Sequence, residues 1–301
     1  MILVTGATGF AGRHLCRALI SAGHEVRALI RHDSRLDVLP EGIHTAVGDV
    51  VTGHGLAAAC ADCDTVVHLV GIIRQTREIT FDKVHVGGTT HVVEAATEAG
   101  VRRIVHMSAL GTGRGIPIAY FETKLRAEEI VRRSGLTWAI LRPSVIIGPG
   151  SGFVQAVLDL VRKYPVTPVA GPGTVRIEPV DIDDLCAAVR ALVGRDDLWG
   201  KVYELGGPEA LTFNELLQLS AAAVGVRKPM IHIPLGLMFV MARLTAILPG
   251  TPPVTTDELR MLGYEALCQS NGFAELGADA LSGVAPVSYT DALAKALGEP
   301  R

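Results

Sequence analysis

The chain has no excess of positive charge: 28 Lys and Arg stand against 31 Asp and Glu, a formal net charge of −3. Proteins that grip nucleic acid through its phosphates carry a basic excess, so no nucleic-acid partner is expected. Paired cysteines are also lacking. The five present, Cys16, Cys60, Cys63, Cys186 and Cys268, are odd in number and scattered, as suits reduced thiols in a cytoplasmic chain. Cys60 and Cys63 form a CxxC without a second pair, which leaves a zinc site short of ligands. The ten histidines contain no HExxH or other ligand spacing, so no metal is expected. No fixed-period repeat and no low-complexity tract occurs.

Nor is a secretory leader expected. The first apolar run, Met1 to Val4, meets a glycine-rich turn at once, leaving no room for a charged and then apolar signal. One stretch, Ile231 to Leu248, is apolar apart from His232, Arg243 and Thr245. It falls short of the roughly 20 apolar residues a bilayer span requires. A buried helix or pocket wall is the expectation there, with peripheral contact to a membrane or a lipidic substrate as the alternative.

What is present is globular: 301 residues, 49% of them hydrophobic and 20% charged. Apolar β-type runs alternate with helical patterns over the first half, which predicts an α/β protein with a doubly wound parallel sheet. Strands are expected at Ile2–Thr5, Glu25–Ile30, Ile43–Val47, Thr65–Val70, Arg103–Met107 and Thr137–Leu141. Helices are expected at Ala11–Ser21 and Gly88–Glu98. Several strand runs are apolar without a break, as when helices cover both faces of a sheet. Residues 1–150 read as a Rossmann-type domain. Residues 151–301 read as a smaller mixed lobe, with Lys201–Leu205 a late strand rejoining the sheet. Ala170 to Thr174 reads as a tight turn between short strands. Thr212 to Glu215 and Thr255 to Glu258 read as capping boxes.

The segment Thr5-Gly6-Ala7-Thr8-Gly9-Phe10-Ala11-Gly12 joins the first strand to the first helix. Three glycines at this place permit a sharp turn, close approach of the backbone to a diphosphate, and tight helix–strand packing. A helix N-terminus then offers its N–H groups to the anion. The expected cofactor contacts are Thr5, Gly6, Thr8, Gly9, Phe10 and Gly12. Arg31 and His32 follow the second strand, Asp49 and Val50 the third, and Leu69, Val70 and Gly71 the fourth. The second strand ends Leu29-Ile30-Arg31-His32, with Ile30 where an acid would bind a ribose 2′-hydroxyl. Arg31 suits a 2′-phosphate instead, so NADP(H) is favoured, with NAD(H) the alternative that Asp33 could serve.

Tyr120 and Lys124 form a YxxxK, spaced to share one face of a helix. An ammonium there is expected to lower the phenol pKa toward working pH. Ser108 follows the fifth strand, where parallel sheets bind ligands, and its hydroxyl suits a substrate carbonyl. The catalytic set is thus Ser108, Tyr120 and Lys124.

In order and spacing these motifs resemble the extended and atypical short-chain dehydrogenase/reductases, whose turn is GxxGxxG. The segments Phe81-Asp82-Lys83-Val84-His85-Val86, His106-Met107-Ser108-Ala109-Leu110-Gly111 and Leu141-Arg142-Pro143-Ser144 are similar to a finer group. That group is the NADPH-binding accessory subunit of mitochondrial complex I and its bacterial relatives. The resemblance implies hydride transfer between NADP(H) and a carbonyl or alcohol of a small, apolar or quinone-related molecule, with Lys124 also holding the nicotinamide ribose. It equally admits a non-catalytic NADP(H)-binding structural subunit or redox sensor. Phe121, where active members often carry a small residue, favours that second reading. A sugar-nucleotide epimerase or dehydratase ranks third.

Overall fold

In a computed structural model, residues 1–245, 254–277 and 286–298 are described. Six strands open the fold in chain order: β1 (Ile2–Thr5), β2 (Val26–Ile30), β3 (His44–Val47), β4 (Thr65–His68), β5 (Arg103–Met107) and β6 (Thr137–Pro143). With a seventh strand, Val202–Leu205, they form one sheet in the order 202–205, β6, β5, β4, β1, β2, β3. Every pairing is parallel. The strand order reverses between β1 and β4, which opens a crevice beyond their carboxyl ends.

Four helices fill the early crossovers: α1 (Phe10–Ser21), α2 (Leu56–Cys60), α3 (Gly88–Glu98) and α4 (Ala119–Arg132). The strands are apolar on both faces because both are covered. Leu3, Val66, Ile104 and Ile140 pack with Val92, Val93 and Ala96 of α3 in one core. On the other face α1 packs against the helix Ile182–Gly194. α1 stops at Ala22, and Gly23, at φ +84°, turns the chain out so that its N–H and that of His24 return to carbonyls of the last turn.

The chain divides into two units, interleaved in sequence rather than split at one boundary near residue 150. The first takes Met1–Pro143, Ile182–Leu205 and a stretch from Gln269. The second takes Ser144–Asp181, Gly206–Cys268 and a stretch from Pro286. The late strand pairs with β6 from Val202 to Leu205, against Ile140 to Pro143.

In the second unit, the helices Gly152–Lys163, Phe213–Ala223 and Tyr289–Gly298 gather around Ile147, Val169 and Ile177. Ser220 and Tyr289 share a buried hydrogen bond of 2.8 Å. Both capping boxes are formed, at Thr212 with Glu215 and at Thr255 with Glu258. The strands flanking the 170–174 turn do not pair with each other. Thr167–Ala170 pairs with Met230–Ile233, and Arg176–Ile177 with Leu211–Thr212.

The expectation of a buried helix over Ile231 to Leu248 needs correcting. Pro234 ends the strand Met230–Ile233, and the helix Leu235–Thr245 that follows buries only Ala242 fully. Residues 246–248 lie outside the described ones. Among the described residues, no helix is long and apolar enough to cross a membrane.

Candidate active site

The glycine turn is built by close approach of backbone to backbone. Gly6 sits at φ +72°, and a Cβ there would meet Val70 and the carbonyl carbon of Leu69 at 3.3 to 3.4 Å. A Cβ on Gly12 would lie 2.1 Å from the Gly6 carbonyl oxygen and 2.7 Å from the Ala7 Cα. The Gly9 N–H donates to that same oxygen at 3.0 Å. Gly9 is also the N-cap of α1 and supplies no side-chain cap. A bare helix N-terminus behind a cradle without side chains fits a diphosphate. The residues present therefore suit a dinucleotide.

Thr5 is placed differently from Gly6 and Gly9. It is fully buried, and its hydroxyl shares a 2.7 Å hydrogen bond with His68 Nδ1. His68 Nε2 in turn meets Thr89 Oγ1 of α3 at 3.2 Å. Thr8 and Phe10 are half-buried, and Gly9 is exposed. Asp49 accepts from the Val51 N–H at 2.7 Å, closing the turn after β3, while Val50 is buried and its carbonyl contacts His91 Nδ1 at 2.9 Å. Arg31 and His32 are exposed beyond β2. The Arg31 guanidinium lies 3.5 Å from Asp33.

At the ends of β4 and β5 the catalytic candidates converge. Lys124 is 4% exposed and its Nζ donates to the Met107 carbonyl at 2.9 Å, one residue before Ser108. A Cβ on Gly71 would come within 2.9 Å of that Nζ and 3.6 Å of His85 Nε2. Leu69, Val70 and Gly71 thus run between the glycine turn and Lys124. Ser108 is buried, and its hydroxyl donates to Thr112 Oγ1 at 3.3 Å. Tyr120, one turn before Lys124 on α4, packs edge-on against Phe81, His85 and Phe121 at centroid distances of 5.6, 5.5 and 5.2 Å. A Cβ on Gly111, which sits at φ +102°, would meet the Phe121 ring at 3.0 to 3.2 Å and Ile116 at 3.4 Å.

Several residues of this neighbourhood carried no assigned role in the sequence. His85 lies in a π-helical turn, Asp82–Gly87, of the sort that often marks functional sites. Its Nδ1 meets Thr123 Oγ1 at 2.9 Å, and its Nε2 meets the Ile72 carbonyl at 3.1 Å. It braces the residue before Lys124 against the loop after β4. Glu128 stands one turn beyond Lys124 and is fully buried. Arg142 grips it with two hydrogen bonds of 2.7 and 2.8 Å, and Arg132 adds a third at 2.8 Å. Arg142 therefore orders this carboxylate through an ion pair. The i, i+4 spacing of Lys124 and Glu128 was the available signal.

Burial governs the charges here. It pulls the Lys124 ammonium down to about 8, against the opposing pull of Glu128. It pushes the Tyr120 phenol up to about 12, contrary to the expected lowering. The ammonium is committed to the Met107 carbonyl, and desolvation of a phenolate outweighs any help from it. His68 and His85 are held down to about 3, by desolvation first and the Lys124 charge second. His106, in register with His68 across β4 and β5, is also held well below its ordinary value, with desolvation again the first cause. Both ring nitrogens of His106 lack a hydrogen-bond partner among the described residues.

These imidazoles make stability acid-sensitive. Above about pH 6.5 neither state protonates them. Below it the unfolded chain takes up protons that the folded one refuses, so stability falls as pH drops toward 3. Each contributes a slope of about 1.4 kcal/mol per pH unit. His106→Leu should flatten the fall in urea midpoint between pH 7 and pH 5 by about one histidine's share, and cost little at pH 7 since no hydrogen bond is lost. An unchanged slope in that variant would refute the buried-neutral assignment.

A family model described as NAD(P)H-binding matches residues 6–159, the span that holds this cradle and the Tyr120–Lys124 pair. The chain is 28% identical over 288 residues to NADH dehydrogenase [ubiquinone] 1 alpha subcomplex subunit 9, mitochondrial, from Arabidopsis thaliana, covering 89% of this chain and 71% of that protein. It is 30% identical over 237 residues to a ceramide reductase from Caulobacter vibrioides, covering 78% of this chain and 74% of the relative. Among solved structures, UDP-glucose 4-epimerase from Thermotoga maritima superposes with a TM-score of 0.75 at 19% identity, covering 98% of this chain and 97% of that one. The last likeness shows the fold alone. Cradle, sheet order and family match agree: the chain belongs to the NAD(P)H-binding family, among the extended and atypical short-chain dehydrogenase/reductases.

Proposed function

We propose that the chain is an NADP(H)-dependent oxidoreductase that reduces a carbonyl of a small, apolar molecule. The observation that carries this reading is the meeting of Lys124, Gly71, His85 and the Met107 carbonyl beside the glycine cradle, with Tyr120 one helical turn away. A nicotinamide dinucleotide held in that cradle would supply hydride to the carbonyl carbon. The oxygen takes its proton from Tyr120, whose phenol stays protonated through neutral pH and so acts as an acid rather than a base. Ser108 would donate a hydrogen bond to the same oxygen, and Lys124 would hold the ribose hydroxyls. The test is oxidation of NADPH by purified protein with a panel of apolar aldehydes, ketones and quinones. Absence of turnover with every member, together with tight NADPH binding, would overturn the catalytic reading.

The apolar substrate class takes support from the relative named as a ceramide reductase. The preference for NADP(H) rests on Arg31 standing free of the core just beyond Ile30, which is buried and apolar. Arg31→Ala is expected to weaken NADPH binding about tenfold and NADH binding less than about twofold, read by fluorescence titration. Tighter binding of NADH by the unaltered chain would reverse the preference and point to Asp33 on the ribose.

A second reading, a cofactor-holding subunit without turnover, is favoured by the likeness to a complex I subunit and by the bulky Phe121 beside Tyr120, packed close to Gly111. The two readings separate on one result: bound NADPH that a substrate cannot oxidise supports the second.

A further inference from the structure

We propose that His85 is a positioning residue for the nicotinamide end of the cofactor. In its Nδ1–H tautomer it bolts the loop after β4 to the helix of Tyr120 and Lys124. The inference rests on dinucleotide binding and is independent of turnover. His85 is 1% exposed in the π-helical turn Asp82–Gly87, which packs on α4. Its ring stacks on Phe81 at 5.4 Å between centroids and meets Tyr120 edge-on at 5.5 Å. Those contacts fix the plane of the imidazole, so each ring nitrogen faces a set partner. The proton assignment follows from Thr123. Its hydroxyl has one proton to give, and the Ala119 and Tyr120 carbonyls of α4 lie 2.7 and 3.0 Å away. Toward His85 Nδ1, at 2.9 Å, that hydroxyl therefore accepts, and Nδ1 carries the proton. Nε2 is left bare, and the Ile72 N–H donates to it at 3.2 Å. The opposite tautomer would use the Ile72 carbonyl, 3.1 Å from Nε2. It would leave the Ile72 N–H without this acceptor and draw the Thr123 proton off the helix. Burial and the Lys124 charge hold the ring pKa down to about 3, so no second proton joins the first.

What this bolt holds is one end of the cofactor site. The glycine turn follows β1, with β2 and β3 on one side of it in the sheet and β4 and β5 on the other. Arg31, the proposed 2′-phosphate contact, follows β2, so the nicotinamide end falls beyond β4 and β5. There Gly71 is exposed, and a Cβ on it would come within 2.9 Å of Lys124 Nζ. Ile72, the next residue, is the one bonded to Nε2, and Thr123, bonded to Nδ1, immediately precedes Lys124. One buried ring thus sets the spacing between the two stretches of main chain that flank the ammonium. A small shift of Ile72 would close Gly71 on Nζ or draw it away, while the turn at Gly6 to Gly12 and the loops after β2 and β3 would keep their places. Loss of the bolt therefore falls on the nicotinamide half of the ligand and spares the adenosine half.

The test is calorimetric titration of the full chain and two variants with NADPH and with 2′,5′-ADP, which is the adenosine half alone. NADH and ADP replace them should the unaltered chain prefer NADH. His85→Leu keeps the bulk and loses both bonds. It is expected to weaken the dinucleotide at least about tenfold and the adenosine fragment less than about twofold. His85→Gln, whose amide oxygen reaches the place of Nε2 and accepts from Ile72, should recover most of that loss. Nitrogen NMR of the ring in the unaltered chain at neutral pH should show the proton on Nδ1. Equal weakening of both ligands in His85→Leu would reduce the residue to a merely structural one and overturn the proposal. So would an unchanged dinucleotide affinity, a glutamine variant as weak as the leucine one, or a proton on Nε2. Should His85→Leu fail to fold, as read by circular dichroism, the glutamine variant and the ring spectrum decide. A chain that binds neither dinucleotide nor fragment sinks the cofactor reading and this inference with it. Every readout is binding or spectroscopy, so an absence of turnover counts against the proposed reaction alone.

Discussion

Gly12→Ala is expected to lower affinity for NADPH by more than about a hundredfold, read by titration of nucleotide fluorescence. Every atom the new methyl would meet belongs to main chain: the Gly6 oxygen at 2.1 Å, the Ala7 Cα at 2.7 Å and the Gly6 carbonyl carbon at 2.8 Å. No rotamer relieves that clash. The turn itself must move, and it carries the N–H groups that meet the diphosphate. Gly152→Ala is the control. That glycine opens a helix, has nothing within 4 Å of its would-be Cβ, and is expected to be neutral or slightly stabilising. Equal affinity in the Gly12 and Gly152 variants would remove the cradle from the nucleotide site.

The second large effect falls on chemistry. Tyr120→Phe is expected to lower kcat by about two to four orders of magnitude while leaving NADPH affinity within a factor of about two. The ring is held by three aromatic neighbours, so the phenyl keeps its place and only the proton donor is lost. Lys124→Met should abolish turnover too, but with an opposite effect on the fold. Holding a buried ammonium whose pKa has fallen from 10.5 to about 8 costs roughly 3 kcal/mol at pH 7. That cost is fully present below about pH 8 and fades as pH rises toward the unfolded value. Methionine removes it at the loss of one hydrogen bond to Met107, worth about 1 kcal/mol. Thermal unfolding of Lys124→Met should therefore occur at higher temperature than in the unaltered chain at pH 7, and the gain should vanish near pH 10. A lower Tm at pH 7 would show that the ammonium is not destabilising where it stands.

Much of the first unit was legible because local signals and packing agree there. For Ile2–Thr5, Arg103–Met107 and Gly88–Glu98 the expected and observed bounds agree to the residue, since short β-type runs and a glycine stop have few other meanings here. The seventh strand was placed within one residue. The second unit was harder. Strands of two residues, such as Arg176–Ile177, carry no periodicity, and their partners lie far along the chain. The Leu235–Thr245 helix misled because an apolar stretch normally signals burial, and a linear sequence says little of which side of a mostly apolar helix meets solvent. In the site, residue types and order were readable, but their electrostatics were not. Whether a lysine lowers its neighbour's pKa depends on where its protons are spent and on how dry the site is. The Met107 carbonyl and the desolvation of the Tyr120 phenol decided that, and both are tertiary facts.

The strand Val202–Leu205 has a consequence for how the polypeptide is made. While a ribosome has extruded only the first 150 residues, β6 is an open edge, with buried-type Ala139, Ile140 and Leu141 at its centre and unpaired amides along its length. Some fifty further residues must emerge before that edge is sealed. A nascent chain paused in this interval, or a truncated gene product ending there, would present a sticky ribbon to its neighbours and depend on chaperones to stay apart.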